Sequence, residues 1–324
     1  MSETPAGSQS IKAVLQYRAS AGFRRDLLAA SPEWLEVVVV DERDTESFAS
    51  EMRDSDVLLH VLEPVTEEVF AGAPELKLVQ KIGVGVNTID LDAARKHGVA
   101  AANMPGTNSS AVAEMTLLLM LATLRRITMV DAETKQGRGW QLEPETYDHH
   151  GEIAGRTVGL VGYGAVPRVF APILKAMGAE VLYTATAPKP DAVGEFRSLA
   201  DLLAESDVVS LHIPLTSETD SMFTGELFAS MKPGSILINT ARGGLVNESD
   251  LVSALQSGHL MAAGLDVFAE EPVHPSSELL GLPNVVVTPH IAWLTPETLK
   301  RSIHVCVENC RRVRDGEPLL HQVQ

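Results

Sequence analysis

Apolar and polar positions alternate in blocks along the first hundred residues of the chain. Short, nearly continuous apolar runs, which are typical of buried parallel strands, recur at intervals, with helical spacing between them. The predicted strands are Ile11–Tyr17, Trp34–Val40, Asp56–Val61 and Leu78–Ile82. The predicted helices are Gly22–Ala30, Thr45–Met52 and Glu67–Ala71. Strands that alternate with helices predict a parallel sheet with helices on both faces.

A long helical pattern, Asn108–Val130, separates this series from a second one. After a loop at Gly137–Gly151, strands and helices alternate again. The strands predicted in this second series are Thr157–Val161, Glu180–Thr184, Val208–His212, Ser235–Asn239, Ala263–Asp266 and Val285–Thr288. The helices predicted there are Val166–Met177, Leu199–Ala204 and the terminal amphipathic helix Pro296–Arg314. Two α/β units are therefore predicted, a number that also suits a length of 324 residues.

The charge and the apolar content exclude two classes of macromolecular partner. The formal net charge is −17, which argues against nucleic acid and against an anionic membrane surface. The longest apolar run, Met115–Leu124, is too short to span a bilayer. We therefore predict no nucleic-acid partner and no membrane partner.

The cysteines and the start of the chain bear on its compartment. Cys306 and Cys310 lie four residues apart on a predicted helix and cannot build a disulfide framework. We expect small core side chains kept reduced in the cytosol; a metal pair is the less favoured alternative, because no other ligand cluster accompanies them. The start, Met1–Ser10, is polar and has no apolar segment of a secretory signal. A cytoplasmic protein without a metal site is predicted.

A glycine-rich segment follows the strand Thr157–Val161 and opens a helix, which is the context that gives such a motif meaning. Gly162 permits the tight turn, and Gly164 lets a pyrophosphate approach the helix N-terminus. Pro167 stands where the third glycine of the usual pattern would be, and proline is tolerated in the first helical turn. A plain strand–helix turn is the alternative, but the context favours dinucleotide binding.

The end of the next strand indicates which dinucleotide is bound. An acid is expected about 20 residues after the glycines to bind the ribose hydroxyls of NAD. Ala185 stands there instead, between Thr184 and Thr186, and Lys189 follows. The missing acid removes a repulsion against a 2′-phosphate, and hydroxyls with a lysine can hold it. NADP is therefore favoured as cofactor, with NAD as the alternative.

Three charged residues follow strands of the second series. They are Arg242, Glu271 and His290. Ligands of parallel sheets bind beyond the carboxyl ends of the strands, so all three are expected to converge. A histidine paired with a glutamate can deliver a proton, and an arginine can bind a carboxylate. Taken singly, Arg242 could be a salt-bridge partner, Glu271 a surface acid before a turn and His290 a capped strand end. Taken together, the three residues suggest the reduction of a 2-keto acid.

These motifs resemble the D-isomer-specific 2-hydroxyacid dehydrogenase family. Further segments of the chain match the same family, namely Lys81–Asp90, Ser110–Glu114, Leu211–Thr216 and Met231–Gly234. The resemblance implies that Arg242, Glu271 and His290 are catalytic, that the backbone at Val84 and Gly85 binds the substrate carboxylate, and that Asp266 faces the nicotinamide carboxamide. The cofactor residues implied by the loop and the resemblance are Gly162, Tyr163, Gly164, Ala165, Val166, Thr184, Ala185, Thr186, Lys189, His212, Pro214, Thr219, Thr240, Ala241, Asp266 and His290.

The resemblance also implies an architecture. The fold would be α/β, with two Rossmann-like or flavodoxin-like parallel-sheet domains, the cofactor domain at 106–292 being inserted into a substrate domain at 1–105 plus 293–324. The helix Asn108–Val130 and the loop around Trp140 resemble the family's dimerisation arm and imply a homodimer. Trp293, after the catalytic histidine, is expected either in the substrate pocket wall or as a buttress of the hinge.

Two functions remain open at this point. The first is the reduction of a small 2-keto acid, such as glyoxylate or hydroxypyruvate, to the D-2-hydroxy acid by NAD(P)H, with the proton coming from His290. The second is a dinucleotide-sensing, corepressor-like binding protein on the same fold. The presence of Arg242, Glu271 and His290 favours the enzyme.

Overall fold

The computed structural model describes residues 10–324 and divides the chain into two compact units. The first unit comprises the described residues up to Asn108 together with Leu294–Gln324, and the second comprises Ser109–Trp293. The polar start predicted to carry no secretory signal lies, apart from Ser10, outside the described residues.

The first unit is built on a five-stranded, wholly parallel sheet. Its strands are β1 (Ile11–Gln16), β2 (Leu35–Val40), β3 (Val57–His60), β4 (Leu78–Lys81) and β5 (Ala100–Ala102), in the order β2-β1-β3-β4-β5. The connecting helices are α1 (Ala21–Ala30), α2 (Thr45–Glu51), α3 (Glu67–Ala71) and α4 (Leu91–Lys96). β3 and β4 are buried along their whole length, including the polar side chains of His60, Gln80 and Lys81 at their carboxyl ends.

The second unit contains a seven-stranded parallel sheet with helices between its strands. Its helices are α5 (Ser109–Leu124), α6 (Ile127–Lys135), α7 (Ala165–Ala176), α8 (Leu199–Glu205), α9 (Gly225–Ser230), α10 (Glu248–Gln256) and α11 (Glu278–Gly281). Its strands are β6 (Thr157–Val161), β7 (Glu180–Thr184), β8 (Glu195–Phe196), β9 (Val208–Leu211), β10 (Ser235–Asn239), β11 (Leu260–Leu265) and β12 (Val285–Val287).

The strand order of the second sheet is β12-β11-β10-β9-β6-β7-β8. The chain runs outward from β6 through β7 to β8, then returns to β9 and continues the other way. The crevice beyond the carboxyl ends of β6 and β9 is therefore the topological switch point, where ligands of such sheets bind. The prediction of an α/β fold with two parallel-sheet units is confirmed.

The last helix, α12 (Pro296–Asp315), packs in the first unit. The Thr295 side chain accepts a hydrogen bond from the Thr298 N–H at its start, and Gly316 ends it with a φ of 67°. Asn309, wholly buried on this helix, donates to the Gln80 side chain on β4 at 2.5 Å. Both cysteines lie on its buried face and are free.

The prediction of one long helix over Asn108–Val130 is wrong. α5 ends at Leu124 and α6 begins at Ile127, because Arg126 adopts a left-handed conformation with a φ of 49°. The Gly151 N–H donates to the Leu124 carbonyl at 2.9 Å, so a group distant in sequence satisfies the end of α5. The apolar pattern continues through the break and therefore conceals it.

Two whole-chain features concern partners and metals. None of the helices formed by residues 10–324 combines the length and the apolar character needed to cross a membrane. Within the same residues, no group of three or more His, Cys, Asp or Glu side chains is placed to bind a metal ion.

Candidate active site

The glycine-rich turn after β6 leaves room at the N-terminus of α7. Gly162 has a φ of 101°, and a Cβ atom there would lie 2.5 Å from the His212 carbonyl oxygen. Gly164 precedes α7, and a Cβ atom built on it meets no heavy atom of the described chain within 4 Å. Unpaired N–H groups at an open helix N-terminus suit a pyrophosphate, so the turn fits a dinucleotide.

The first turn of α7 begins with Ala165 and Val166 and accommodates Pro167 as its third residue. The proline is buried, and at this position its missing N–H removes no helical hydrogen bond. The departure from the usual third glycine is therefore compatible with the turn.

The segment after β7 is anchored by two tyrosines. Thr184 ends the strand, and neither Ala185 nor Thr186 offers a carboxylate. The Tyr183 hydroxyl accepts a hydrogen bond from the Lys189 N–H at 2.8 Å, and the Tyr163 hydroxyl accepts one from the Val193 N–H at 2.7 Å. Their ring centroids are 4.4 Å apart. Tyr163 belongs to the predicted set, whereas Tyr183, a polar aromatic residue inside an apolar strand, was missed.

The segment after β9 lies across the switch point from the glycine-rich turn. His212 hydrogen-bonds through Nε2 with the Ser210 hydroxyl at 2.9 Å. Burial lowers the pKa of His212 to about 3, so its ring is neutral near pH 7. The Thr219 hydroxyl donates to the Pro214 carbonyl at 2.7 Å and closes the following turn.

The turn after β10 is organised by Asn239, which the sequence reasoning did not single out. Its side chain accepts from the Ala241 N–H at 3.0 Å and donates to the Arg242 carbonyl at 2.9 Å. The hydroxyl of Thr240, which follows Asn239 in the chain, lies 2.8 Å from the hydroxyl of Thr116 on α5. A buried asparagine at the end of an apolar strand is the signal that could have found this residue.

Arg242 is held within this turn. Its Nη1 donates to the Ala241 carbonyl at 2.6 Å. Burial lowers the pKa of its guanidinium, and the negative charge of Glu271 acts in the opposite direction. The carboxylate of Glu271 is therefore close enough to influence Arg242.

Glu271 and His290 form a direct pair. Nδ1 of His290 lies 2.5 Å from one carboxylate oxygen of Glu271, and the other oxygen accepts from the Phe268 N–H at 2.9 Å. Burial acts to raise the pKa of Glu271, but the hydrogen bond and charge of His290 prevail, so its pKa lies below its ordinary value. The carboxylate therefore stays ionised beside the imidazole.

The backbone at His290 is also constrained. Its φ is 55°, which is unusual for a residue other than glycine, and its N–H donates to the Asp266 carbonyl at 2.7 Å. The wholly buried Asp266 carboxylate accepts hydrogen bonds from the Thr288 hydroxyl and from the N–H groups of Ile291 and Ala292, at 2.6, 2.9 and 2.8 Å. Asp266 thus holds the turn that carries His290.

The structure thus gathers Arg242, Glu271 and His290 at one edge of the second sheet. The turns that carry them follow parallel strands, and the glycine-rich turn follows β6 of the same sheet. The remaining predicted substrate residues lie elsewhere in the chain. Val84 and Gly85 follow β4 in the first unit, where the Val84 carbonyl accepts from the Asn103 side chain at 2.8 Å, and Trp293 ends the second unit.

The segment predicted to form a dimer arm exposes several apolar side chains. Trp140 is 87% exposed, Leu118 on α5 is 56% exposed and Ile127 on α6 is 49% exposed. Large apolar side chains that stay accessible in neighbouring segments are typical of a protein–protein contact.

Comparison with known proteins agrees with this geometry. The family described as "D-isomer specific 2-hydroxyacid dehydrogenase, NAD binding domain" matches residues 117–292. The D-3-phosphoglycerate dehydrogenase of Mycobacterium tuberculosis is 39% identical over 295 residues, which are 90% of this chain and 55% of that protein. The chain thus spans about half the length of this relative.

Two further similarities extend over most of both chains. A glyoxylate reductase of Korarchaeum cryptofilum is 37% identical over 272 residues, 82% of each chain. The crystal structure of the TT0316 protein from Thermus thermophilus superposes with a TM-score of 0.87 at 36% identity, covering 97% of this chain and 100% of that one.

A doubly wound parallel sheet with a glycine-rich turn at its switch point defines a dinucleotide-binding α/β protein. The chain belongs to the D-isomer specific 2-hydroxyacid dehydrogenase family. The family resemblance recognised from the sequence motifs is confirmed.

Proposed function

We propose that this chain is an oxidoreductase that reduces a small 2-keto acid to the D-2-hydroxy acid with a nicotinamide dinucleotide. The observation that carries the proposal is the 2.5 Å pair between His290 and Glu271, placed near Arg242 in the unit that holds the glycine-rich turn. The similarity to a glyoxylate reductase over 82% of both chains supports glyoxylate and hydroxypyruvate as the first candidate substrates.

His290 is the proton donor in this proposal. The nicotinamide, when bound, supplies the reducing equivalent to the keto carbon. Glu271 holds the imidazole through Nδ1, which leaves Nε2 to deliver a proton to the carbonyl oxygen. Glu271, whose pKa lies below its ordinary value, stays ionised beside the ring and fixes the orientation of the imidazole for this transfer.

Arg242 binds and polarises the substrate. A guanidinium offers a planar pair of donors that suits a carboxylate, and its partial burial strengthens the attraction. We propose that the backbone N–H groups at Val84 and Gly85 also bind the carboxylate, and that Trp293 contributes to the substrate pocket.

The proposal assigns the cofactor to residues 106–292 and the substrate-binding role to 1–105 plus 293–324. NADP is the proposed cofactor, because the segment after β7 offers Thr184, Thr186 and Lys189 and lacks an acid at Ala185. The two buried, free cysteines suit a reducing compartment, so a cytoplasmic location is part of the proposal.

We further propose a homodimer through α5, α6 and the loop of Trp140. The exposed apolar side chains of these segments support it. Replacing Trp140 and Leu118 by serine and glutamate is expected to shift the protein towards a monomer in analytical ultracentrifugation. An unchanged sedimentation coefficient would contradict this interface.

The test of the activity is absorbance at 340 nm with NADPH and NADH against glyoxylate, hydroxypyruvate, pyruvate and a phosphorylated three-carbon 2-keto acid. We expect turnover of at least one acid, with NADPH preferred. If no acid is reduced although the cofactor binds, the enzymatic proposal fails and a dinucleotide-sensing protein becomes the better account.

A further inference from the structure

The segment that carries Glu271 lies between β11 and α11 and has no regular secondary structure. Within residues 10–324, the backbone of 268–271 makes no hydrogen bond to another stretch of backbone. Two carboxylates bind its N–H groups instead. The Phe268 N–H donates to Glu271 itself at 2.9 Å, and the Ala269 N–H donates to Glu248 at 2.7 Å. The position of Glu271 therefore depends on side chains that hold this segment.

Glu248 belongs to an element that is itself held in place. It is the first residue of α10, whose buried residues are Leu251, Val252 and Leu255. The side chain of Asn247 caps this helix by accepting a hydrogen bond from the Asp250 N–H at 3.1 Å. The Asn247 N–H donates to the Phe223 carbonyl at 3.0 Å. The hydrogen bond from Ala269 to Glu248 thus ties an irregular segment to a packed helix.

The turn of Arg242 lies against the same segment. Gly243 directly follows Arg242 and is buried, and a Cβ atom built on it would overlap the Phe268 carbonyl carbon. The negative charge of Glu271 also acts on the Arg242 guanidinium. A shift of this segment would therefore change the position of Glu271 relative to both His290 and Arg242.

We propose that Glu248 is a positioning residue, which holds the segment 268–271 so that the Glu271 carboxylate stays aligned with His290. This inference rests on the proposed function, in which His290 donates the proton, and adds to it a residue outside the reacting groups. The pair of His290 and Glu271 spans 2.5 Å, and a hydrogen bond weakens steeply with distance and misalignment. A carboxylate is a strong acceptor for the backbone N–H that it holds.

Steady-state kinetics of the full-length protein test the proposal first. Glu248→Ala is expected to lower kcat about threefold to tenfold, the size of a lost hydrogen bond. The KM for the keto acid and the affinity for NADPH should stay within about twofold, because Glu248 binds neither ligand in the proposal. Glu248→Gln keeps an oxygen acceptor for the Ala269 N–H and should recover most of kcat. A wild-type kcat in Glu248→Ala would overturn the inference.

Asp250→Ala is the matched control. Asp250 lies in the same first turn of α10, and its carboxylate accepts a hydrogen bond from the Gly225 N–H of α9 at 2.8 Å. This variant removes the same kind of hydrogen bond and an acidic side chain from the same helix start, but it does not touch the segment of Glu271. Its kcat should stay within about twofold of wild type. An equal fall in both alanine variants would show a general loosening of α10 and overturn the inference.

A double-mutant cycle tests whether Glu248 acts through Glu271. Glu271→Gln alone is expected to lower kcat, because it weakens the partner of the proton donor. Adding Glu248→Ala to that variant should lower kcat by less than about twofold more, since the group that Glu248 positions is already impaired. If the two losses multiply instead, Glu248 acts independently of Glu271 and the inference fails.

Hydrogen exchange separates this inference from the proposed function, because it requires no turnover. The Phe268 amide reports on the Glu271 carboxylate that accepts its hydrogen bond. Glu248→Ala should speed its exchange, and Asp250→Ala should not. An unchanged exchange rate at Phe268 in Glu248→Ala would overturn the inference even in an active enzyme. Faster exchange in a protein that reduces no keto acid would support the role of Glu248 in holding Glu271 and overturn the enzymatic proposal alone.

Discussion

His290 is positioned by its backbone as much as by its side chain. A left-handed φ of 55° costs a non-glycine residue about 1 kcal/mol, and the surrounding hydrogen bonds must compensate for it. They come from Asp266, whose carbonyl binds the His290 N–H and whose carboxylate binds the following turn. Burial raises the pKa of Asp266 above its ordinary value, although the hydrogen bonds to its carboxylate act to lower that pKa. Asp266 is therefore a positioning residue for His290, the proposed proton donor.

Arg242→Ala tests the proposed carboxylate contact. The variant is expected to raise KM for the keto acid about tenfold or more and to lower kcat, because the proposal has the guanidinium both bind and polarise the substrate. Arg242→Lys keeps the charge without the planar fork and should recover only part of the loss. Steady-state kinetics with saturating cofactor measure both constants, and an unchanged KM would count against this role.

The individual site residues differ in how far they could be predicted. Charged residues after predicted strands are visible in the sequence, and Arg242, Glu271 and His290 were named on that basis. The hydrogen bonds of Asp266 and Asn239 depend on turns whose geometry only the fold defines.

At the scale of elements, the two glycines of the turn after β6 have different roles. Gly162 has a left-handed backbone conformation, and a Cβ atom there would clash with the backbone of His212. A Cβ atom at Gly164 would enter open space. The first glycine is required by the fold, and the second keeps the N-terminus of α7 accessible.

This contrast predicts opposite phenotypes. Gly162→Ala is expected to destabilise the second unit by about 2 kcal/mol or more. The added methyl group would strain the left-handed backbone and clash with backbone atoms of His212, which cannot move aside as a flexible side chain could. Gly164→Ala should keep the wild-type melting temperature and weaken dinucleotide binding. Differential scanning fluorimetry with and without NADPH measures both effects; similar behaviour of the two variants would refute this assignment.

The length of an element did not alone decide whether it was predicted: the three-residue strand β12 was expected, whereas the nine-residue helix α10 was not. The predicted bounds of the buried strands β1, β3 and β4 lie within one residue of those observed. β5 consists of three alanines and β8 of two residues, so neither carries a hydrophobic pattern that indicates a strand. The break between α5 and α6 depends on the Gly151 N–H, a contact that no local pattern encodes.

At the scale of the whole molecule, a net charge of −17 does not prevent anion binding. The groups proposed to bind anions are local: an open helix N-terminus, Arg242 and Lys189. Dissolved salt screens electrostatic interactions over about 10 Å, so a bound anion is influenced more by nearby cations than by distant acidic side chains on the surface. The excess of acidic residues therefore affects solubility and the choice of macromolecular partners. The local charge at the small-molecule site is set by the groups that line it.

Buried neutral histidine makes folding sensitive to mild acid. Burial, with the positive charge of Lys81, lowers the pKa of His60 to about 2, so the ring stays neutral in the fold and protonates below about pH 6.5 only after unfolding. Its contribution to stability is present above pH 6.5 and is lost as the pH falls towards 2. Glutamine can keep a polar contact with Thr88, which lies 2.8 Å from the ring.

The variant His60→Gln is therefore expected to lose less stability, relative to wild type, at acidic pH than at neutral pH. The gap between wild type and variant in the free energy of unfolding should narrow by about 1 kcal/mol between pH 7.5 and 5.5. Urea denaturation followed by circular dichroism at both pH values measures it. A gap that stays constant or widens would contradict the assignment of a neutral, buried ring.

The central claim is that His290, paired with Glu271, donates the proton in the reduction of a 2-keto acid. The most direct measurement is kcat of wild type and His290→Asn with NADPH and the best keto acid, after confirming equal cofactor binding. The account predicts turnover by wild type and a fall of about 10²–10⁴-fold in the variant, the scale of a lost general acid. A near-native kcat in the variant would contradict it.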